Sequence, residues 1–366
     1  MTTAEKMEMH KGFWRGEGPS LILIPPGQDM KEMWQVRIYD TSDYRERFYH
    51  PEKMWENETA RARPVLDWPT DGIPTVRPNL GVIFVPSMTG QSYEIREGLM
   101  PWCGQTLTAE RIRAVRDVDV GVTELMKLAA EFYRIHNERS DGETAAYQAD
   151  TQGIFDIAHL IYGDAIFMDI MEEEKTAWLD EMLEICLDLM VRAVRCVKKH
   201  IGEGERQMTH GHGTEQGVYF TDMGIRISED SPAMIGPGQI DRFVMPWIER
   251  CVEPFGGIFM HYCGGHKYFF ERLCRCEGVR AIDLGNPEMY DTRRLFEVCA
   301  ETETVLYSRV GAEESEKSRG DWKGYVRRVA GMVKDTGARC ILRPLVYPQS
   351  RDECAAMCEL WHELTC

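Results

Sequence analysis

Gly257-Ile258-Phe259-Met260-His261-Tyr262-Cys263 is a short run of apolar and aromatic residues between turn signals, and it reads as a buried strand. Lys267–Glu277 follows with a helical pattern, then Arg280-Ala281-Ile282-Asp283-Leu284 reads as a second strand. Asp291 caps a helix reaching about Ala300. The alternation continues. Thr304-Val305-Leu306-Tyr307 reads as a strand, Glu313–Arg319 as a charged insert, and a helix from Trp322 stops at Gly337. Arg339-Cys340-Ile341-Leu342 is the last strand, and Ser350-Arg351-Asp352-Glu353 reads as a capping box opening the final helix. Strand and helix alternating at roughly 25–40 residues means βαβ units and a parallel sheet. No glycine-rich dinucleotide fingerprint follows a strand, so the repeated units point to a (β/α)8 TIM barrel.

Upstream, Leu21-Ile22-Leu23-Ile24 is a short strand ended by Pro25-Pro26-Gly27. Residues 64–90 hold many prolines and glycines around one strand-like run, Gly81-Val82-Ile83-Phe84-Val85, and residues 108–139 turn helical. Thr144–Ala149 is a strand candidate, followed by loop and helix around Gly153 to Gly163. Residues 175–200 carry the clearest helical period: Leu179, Met182, Leu183, Cys186, Leu189 and Met190, with Gly202 as the stop. The organisation expected is an N-terminal extension, residues 1–70, packed on a barrel of residues 71–366.

The 366 residues carry 43 Lys+Arg against 60 Asp+Glu, a net charge of -17, with no basic stripe. Such a surface repels phosphate backbones, which argues against a nucleic-acid partner. No apolar run approaches the roughly 18 residues of a membrane span. The N-terminus, Met1-Thr2-Thr3-Ala4-Glu5-Lys6, lacks the apolar core of a secretory leader. Twelve cysteines in such a chain fit a reducing cytoplasm, most of them as small buried hydrophobes and one or two as metal ligands.

The sharpest local feature is His261-Tyr262-Cys263-Gly264-Gly265-His266, at the C-terminal end of the buried strand, where a barrel carries its chemistry. His261 and Cys263 are two apart and share a strand face. An imidazole and a thiolate on one face suit zinc. The plainer reading is a buried pair that only packs.

The phrase His261-Tyr262-Cys263-Gly264, some 20 residues before Ala281-Ile282-Asp283-Leu284, resembles the uroporphyrinogen decarboxylase superfamily. Ile227-Ser228-Glu229-Asp230 with Phe243-Val244-Met245-Pro246-Trp247 resembles that family's acidic strand end and following helix. Ile154 to Gly163 looks like its second barrel unit, and residues 339–357 like its last strand and helix. Within the superfamily, H-x-C-G resembles the zinc methyltransferase branch, of the methylcobalamin:coenzyme M methyltransferase type. The resemblance implies zinc, a cobalamin or corrinoid carried on a small partner protein, and a thiol or folate as small-molecule methyl acceptor. It fits true uroporphyrinogen decarboxylases less, because Ile24-Pro25-Pro26-Gly27-Gln28-Asp29 lacks their N-terminal arginines. The chain also departs from the methyltransferases. Where they place a second cysteine after the last strand, Pro344-Leu345-Val346 stands, with Val346 in the cysteine's place. His266, Glu229 and Asp230 are then the candidates for a third ligand, and Cys340, six residues earlier, is expected to be structural.

Asp230 and Tyr162 resemble the family's acidic and pocket positions and are the catalytic candidates. A helix cap is the alternative for Asp230, and core packing for Tyr162. Asp283 is expected to make a structural hydrogen bond, and His210-Gly211-His212-Gly213 to be an exposed mobile loop, with reach to a metal as its alternative. Cys354 and Cys358 are one helical turn apart and read as one buried face, while Asp67 and Asp71 stay unassigned. The function expected is corrinoid-linked methyl transfer at a zinc site, by a cytoplasmic protein with no membrane partner and with a homodimer as one possible assembly. The rivals are a metal-independent decarboxylase or lyase of a small carboxylic acid, and a non-catalytic corrinoid-binding barrel.

Overall fold

The computed structural model describes residues 1–26, 44–96 and 98–366. Gly27, Gln28 and Asp29, part of the stretch compared above for arginines, lie outside the described residues. The strands are β1 (Leu21–Ile22), β2 (Ile73–Val76), β3 (Tyr93–Glu94), β4 (Trp102–Cys103), β5 (Ala145–Ala146), β6 (Gln207–His210), β7 (Gln216–Thr221), β8 (Ile225–Ser228), β9 (Ile258–Tyr262), β10 (Val279–Leu284), β11 (Val305–Ser308) and β12 (Cys340–Leu342). Helices alternate with the later strands, as the sequence predicts: Lys267–Cys274, Thr292–Glu301, Trp322–Thr336 and Arg351–Thr365. The chain is mixed α/β with a parallel sheet of six strands in the order β1-β12-β11-β10-β9-β8.

A second sheet has the order β5-β2-β7-β6. β5 runs parallel to β2, while β7 pairs antiparallel with both β2 and β6. A parallel bridge between Gln152 and Ser228 ties the segment after β5 to β8. At the other side, Asp71 N donates to Ile22 O at 3.0 Å. No closed barrel ring forms among the described residues. The second edge of β2 is taken by β7, one arm of a hairpin that the sequence reading did not foresee.

Successive strand residues point to opposite faces, and the two hydrophobic cores follow from that period. Ile258, Met260, Tyr262, Ile282, Leu284, Leu306, Cys340 and Leu342 pack in the larger core, together with the helices. Phe259, Ala281, Val305, Tyr307 and Ile341 face the other way, into a smaller core. There they meet Met208, Val218 and Phe220 of the β6–β7 hairpin, and Phe13 and Trp14 of the first helix. That helix, Thr3–Trp14, starts with a capping box on Thr2 and Glu5. Its Trp14 indole donates to Tyr219 O at 2.7 Å, so helix and hairpin together fill the space behind the site.

Three local expectations differ from the structure. Gly81–Ile83 is a 3-10 turn and Phe84–Ser87 a short helix, so the run read as a strand is not one; the strand is β2. β1 pairs with β12 inside the main sheet, although residues 1–70 are expected as an extension packed on the barrel. The final helix has only half of its capping box. Ser350 accepts from Glu353 N at 3.2 Å, but the Glu353 carboxylate accepts from Gln349 N, one residue before the cap, at 2.7 Å. The long helix, Thr176–Ile201, buries the face foreseen and ends at Gly202 in the left-handed conformation, φ 88°. No helix of the described residues is long and apolar enough to cross a membrane.

Candidate functional site

The inward rows of β9 and β10 change character along the strands. Phe259 is followed two residues on by His261 and then Cys263; Ala281 is followed by Asp283 and then Gly285. On β11 and β12 the same step leads from Tyr307 to Arg309 and from Ile341 to Arg343. Apolar residues therefore plug the interior, and polar residues form a layer above them at the C-terminal strand ends. A pocket of about 600 Å³ opens over that layer, lined among others by Asp230, His261, Cys263, Arg226 and Arg309.

His261 Nε2 lies 3.5 Å from Cys263 Sγ. One ligand atom each of Asp230, His261 and Cys263 fall within 4.8 Å of one another. Asp230 caps no helix with its side chain; its Oδ1 accepts from Cys263 N at 2.6 Å, which ties the acid to the cysteine's backbone. A tetrahedral zinc with Zn–S near 2.3 Å and Zn–N near 2.05 Å separates its S and N ligands by about 3.5 Å. The observed spacing is that of one edge of such a site, and the donors are of zinc's preferred kinds. Gly285 makes room for the sulfur: a Cβ there would stand 2.4 Å from Cys263 Sγ. Cys263 is an exposed residue, but crowding at the pocket wall desolvates its thiol. Together with the Asp230 and Asp283 charges, this pushes the thiol up to about 12. The nearby Arg226 and Arg309 do not offset this, so without a metal ion on the sulfur it is a thiol, not a thiolate.

His261 Nδ1 lies 3.1 Å from Asp283 Oδ2. The carboxylate can only accept, so in the neutral ring Nδ1 carries the proton and the Nε2 lone pair faces Cys263. Burial opposes charge on Asp283, but the imidazoles of His212 and His261 outweigh it and hold its carboxyl well below the usual range. A carboxylate behind a ligating histidine is the usual outer partner of a metal site. The donor set thus fits the zinc that the family resemblance implies.

The other predicted residues lie elsewhere. His266 caps the helix Lys267–Cys274: its Nδ1 accepts from Phe269 N at 3.1 Å, and its Nε2 lies 3.0 Å from Ile235 O. Both ring nitrogens are engaged there, so His266 does not join His261 and Cys263. Glu229 is fully buried, its two oxygens accepting from Phe155 N and Asp156 N at 3.1 and 3.0 Å. Tyr162 donates to Asp169 Oδ2 at 2.6 Å and packs edge-on against Trp178, away from the pocket lining. Cys340 is buried in the larger core, as is Val346, while Leu345 lines the pocket.

Two groups escaped the sequence reading. His210-Gly211-His212-Gly213, expected as a mobile loop, is the packed tip of the β6–β7 hairpin, with His210 1% exposed. Arg77, Arg226, Arg309 and Arg343 line the same pocket. Burial would raise Asp150, but Arg226 at 2.6 Å and Arg77 outweigh it and hold its carboxyl at about 2. Burial and the neighbouring Arg343 pull Arg309 down to about 10. The alternation that placed His261 and Cys263 inward would have placed Arg309 and Arg343 there too; nothing comparable marks His212.

No model of a known family matches the sequence, and no curated protein does. Solved structures do. One that the chain resembles is a methyltransferase from Methanosarcina mazei. The two superpose with a TM-score of 0.66 over 99% of each chain, at 13% sequence identity. At that identity the match speaks for a shared fold.

Proposed function

We propose that the protein is a methyltransferase that moves a methyl group between a cobalamin, or a corrinoid protein, and a thiol or folate acceptor at a zinc site. The observation that carries this reading is the Asp230–His261–Cys263 constellation, at a strand end facing the pocket of a chain that shares its fold with a methyltransferase. In this reading the parallel strands are those of a (β/α)8 barrel whose ring is wedged open by the β6–β7 hairpin. Asp230 replaces the second cysteine as third ligand. Asp230, His261 and Cys263 would hold the zinc and leave it a position for the acceptor. Zinc bound there would supply Lewis acidity, with which an acceptor thiol could lose its proton near neutral pH.

The chain's own residues do the rest. Asp283 orients His261, Asp230 fixes the Cys263 backbone, and Gly285 leaves the sulfur its space. The acceptor's sulfur lone pair takes the methyl carbon, the cobalt–carbon bonding pair stays on cobalt, and the thiol proton leaves to solvent. A small corrinoid protein would present the methyl group over the pocket mouth. The test is demethylation of methylcobalamin with a simple thiol, followed by the absorbance of the cobalt product. Zinc-loaded wild type should be active and Cys263→Ser should lose at least about 100-fold, because a transition-state ligand is removed. Equal rates in both would end this reading.

One observation favours a second reading. Four arginines line the pocket that holds Asp230, a composition suited to a carboxylate substrate. A decarboxylase or lyase with Asp230 as its acid–base group would release carbon dioxide without zinc. Asp230→Asn would then abolish activity while zinc removal would not.

A further inference from the structure

The β6–β7 hairpin threads through the interior core and ends at His212. Its tip is built for that position. A Cβ on Gly211 would stand 2.5 Å from Thr75 Oγ1 and 2.8 Å from Thr214 O, so only glycine fits. Gly213 N donates to the Tyr147 hydroxyl at 3.1 Å, and His212 N donates to His210 Nδ1 at 2.9 Å. His212 itself adopts φ 44°, a left-handed conformation that is strained for a non-glycine residue and persists only where the surroundings over-determine it.

The side chain so placed sits in a directed chain of hydrogen bonds. Arg226 Nη2, which can only donate, lies 2.9 Å from His212 Nδ1. The His212 proton is therefore on Nε2, which lies 3.0 Å from Asp283 Oδ2. The same oxygen accepts from His261 Nδ1, while Asp283 Oδ1 is buried with no hydrogen-bond partner among the described residues. Both histidines thus converge on one lone-pair-bearing atom. Their rings also lie against each other, centroids 4.2 Å apart at 42°.

We propose that His212 is a positioning residue of the metal site: relayed through Asp283 and by direct ring contact, it fixes the plane of His261 so that Nε2 meets Cys263 and Asp230. The inference rests on the zinc reading given above. His212 does not ligate in this arrangement. Its Nδ1 faces a guanidinium, and its Nε2 proton points at Asp283. What it supplies is the second donor that stops the Asp283 carboxylate from rotating its buried, unpartnered oxygen toward His261.

Two substitutions of matched polarity separate this role from simple packing. In His212→Gln the amide nitrogen reaches the place of Nε2 and keeps the bond to Asp283. In His212→Asn the amide stops at the place of Nδ1, keeps a contact to Arg226 and loses Asp283. Both residues tolerate the local conformation, asparagine the better of the two. Zinc affinity is measured on metal-stripped protein by competition with a chromophoric chelator, with circular dichroism and thermal unfolding as controls of fold. The expected result is a 10- to 100-fold loss for His212→Asn, the size typical of an outer-shell partner, and affinity within about threefold of wild type for His212→Gln. Equal affinity in all three proteins, or equal loss in both variants, overturns the role. A wild type that takes up two zinc ions and loses one in both variants makes His212 a ligand and overturns it too. Wild type that takes up no zinc removes the zinc reading itself, and this inference with it, whatever the variants do.

Discussion

Gly285→Ala tests the geometry of the site without touching any ligand. Gly285 does not adopt the left-handed backbone that demands glycine, so alanine strains nothing locally. Its Cβ would, however, stand 2.4 Å from Cys263 Sγ and 3.1 Å from Cys263 Cα. Ordinary contacts of this kind lie at about 3.5–4.0 Å, so the sulfur must retreat by roughly 1.1 Å or more. A zinc–ligand bond tolerates about 0.2 Å. The displacement exceeds that tolerance about fivefold, and the sulfur either rotates away or leaves the ligand set. The expected outcome is a folded protein, destabilised by about 1–3 kcal/mol from overpacking. Its zinc affinity should fall by about 100-fold or more, beyond the usual effect of an outer-shell change. Chelator competition gives the affinity and urea unfolding the stability. Zinc affinity unchanged in a folded Gly285→Ala protein would show that the Cys263 sulfur does not bind where the structure places it.

Cys340→Ala should cost on the order of 1 kcal/mol and leave zinc content unchanged, because the side chain is buried among the outer helices; loss of metal would refute that placement. His10 makes stability depend on pH. Burial lowers it to about 4, its Nδ1 accepts from Tyr219 N at 3.0 Å, and its Nε2 lies 2.9 Å from Asp71 O. Above its unfolded value near 6.5 the ring is neutral in both states and its contribution is complete; as pH falls toward 4 only the unfolded chain takes the proton, and stability drops by up to about 1.4 kcal/mol per unit. The stability gap between wild type and His10→Gln should therefore narrow by about 2 kcal/mol between pH 7 and pH 5, and an unchanged gap in urea unfolding would contradict the burial argument. Tyr162→Phe should leave the proposed methyl transfer within about threefold of wild type, since the hydroxyl bonds Asp169 rather than facing the pocket; a larger loss by steady-state assay would return it to the site.

The strands from β9 to β12 and the helices between them are legible because each strand is a short apolar run closed by a turn signal. The same alternation places His261 and Cys263 together on the inward face. It serves less well where periodicity is ambiguous. Gly81-Val82-Ile83-Phe84-Val85 is apolar throughout, which suits a buried helix as well as a strand, and Gly81 at φ 66° starts a turn instead. His266 is a case of proximity in sequence without proximity in space: two glycines carry the chain past the pocket, and the imidazole closes the next helix. The tip at residues 210–213 misleads in the opposite direction. Its glycines look like the mark of mobility, whereas Gly211 is there because Thr75 and the Thr214 carbonyl leave no room for a side chain. Long-range placement by a hairpin between two strand units has no local signature in the sequence. Asp230 is intermediate. Its position at a strand end was readable, but its bond to the Cys263 backbone depends on the register of β8 against β9.

The central claim is that Asp230, His261 and Cys263 hold a metal. Metal analysis of anaerobically purified protein tests it most directly, by comparing wild type with Cys263→Ser and the double variant His261→Ala, Cys263→Ser. Wild type should hold about one zinc per chain and either variant none, with circular dichroism spectra that coincide. Full zinc in the double variant would place the metal elsewhere, and wild-type protein that stays metal-free after incubation with zinc would rule out a zinc site at these residues.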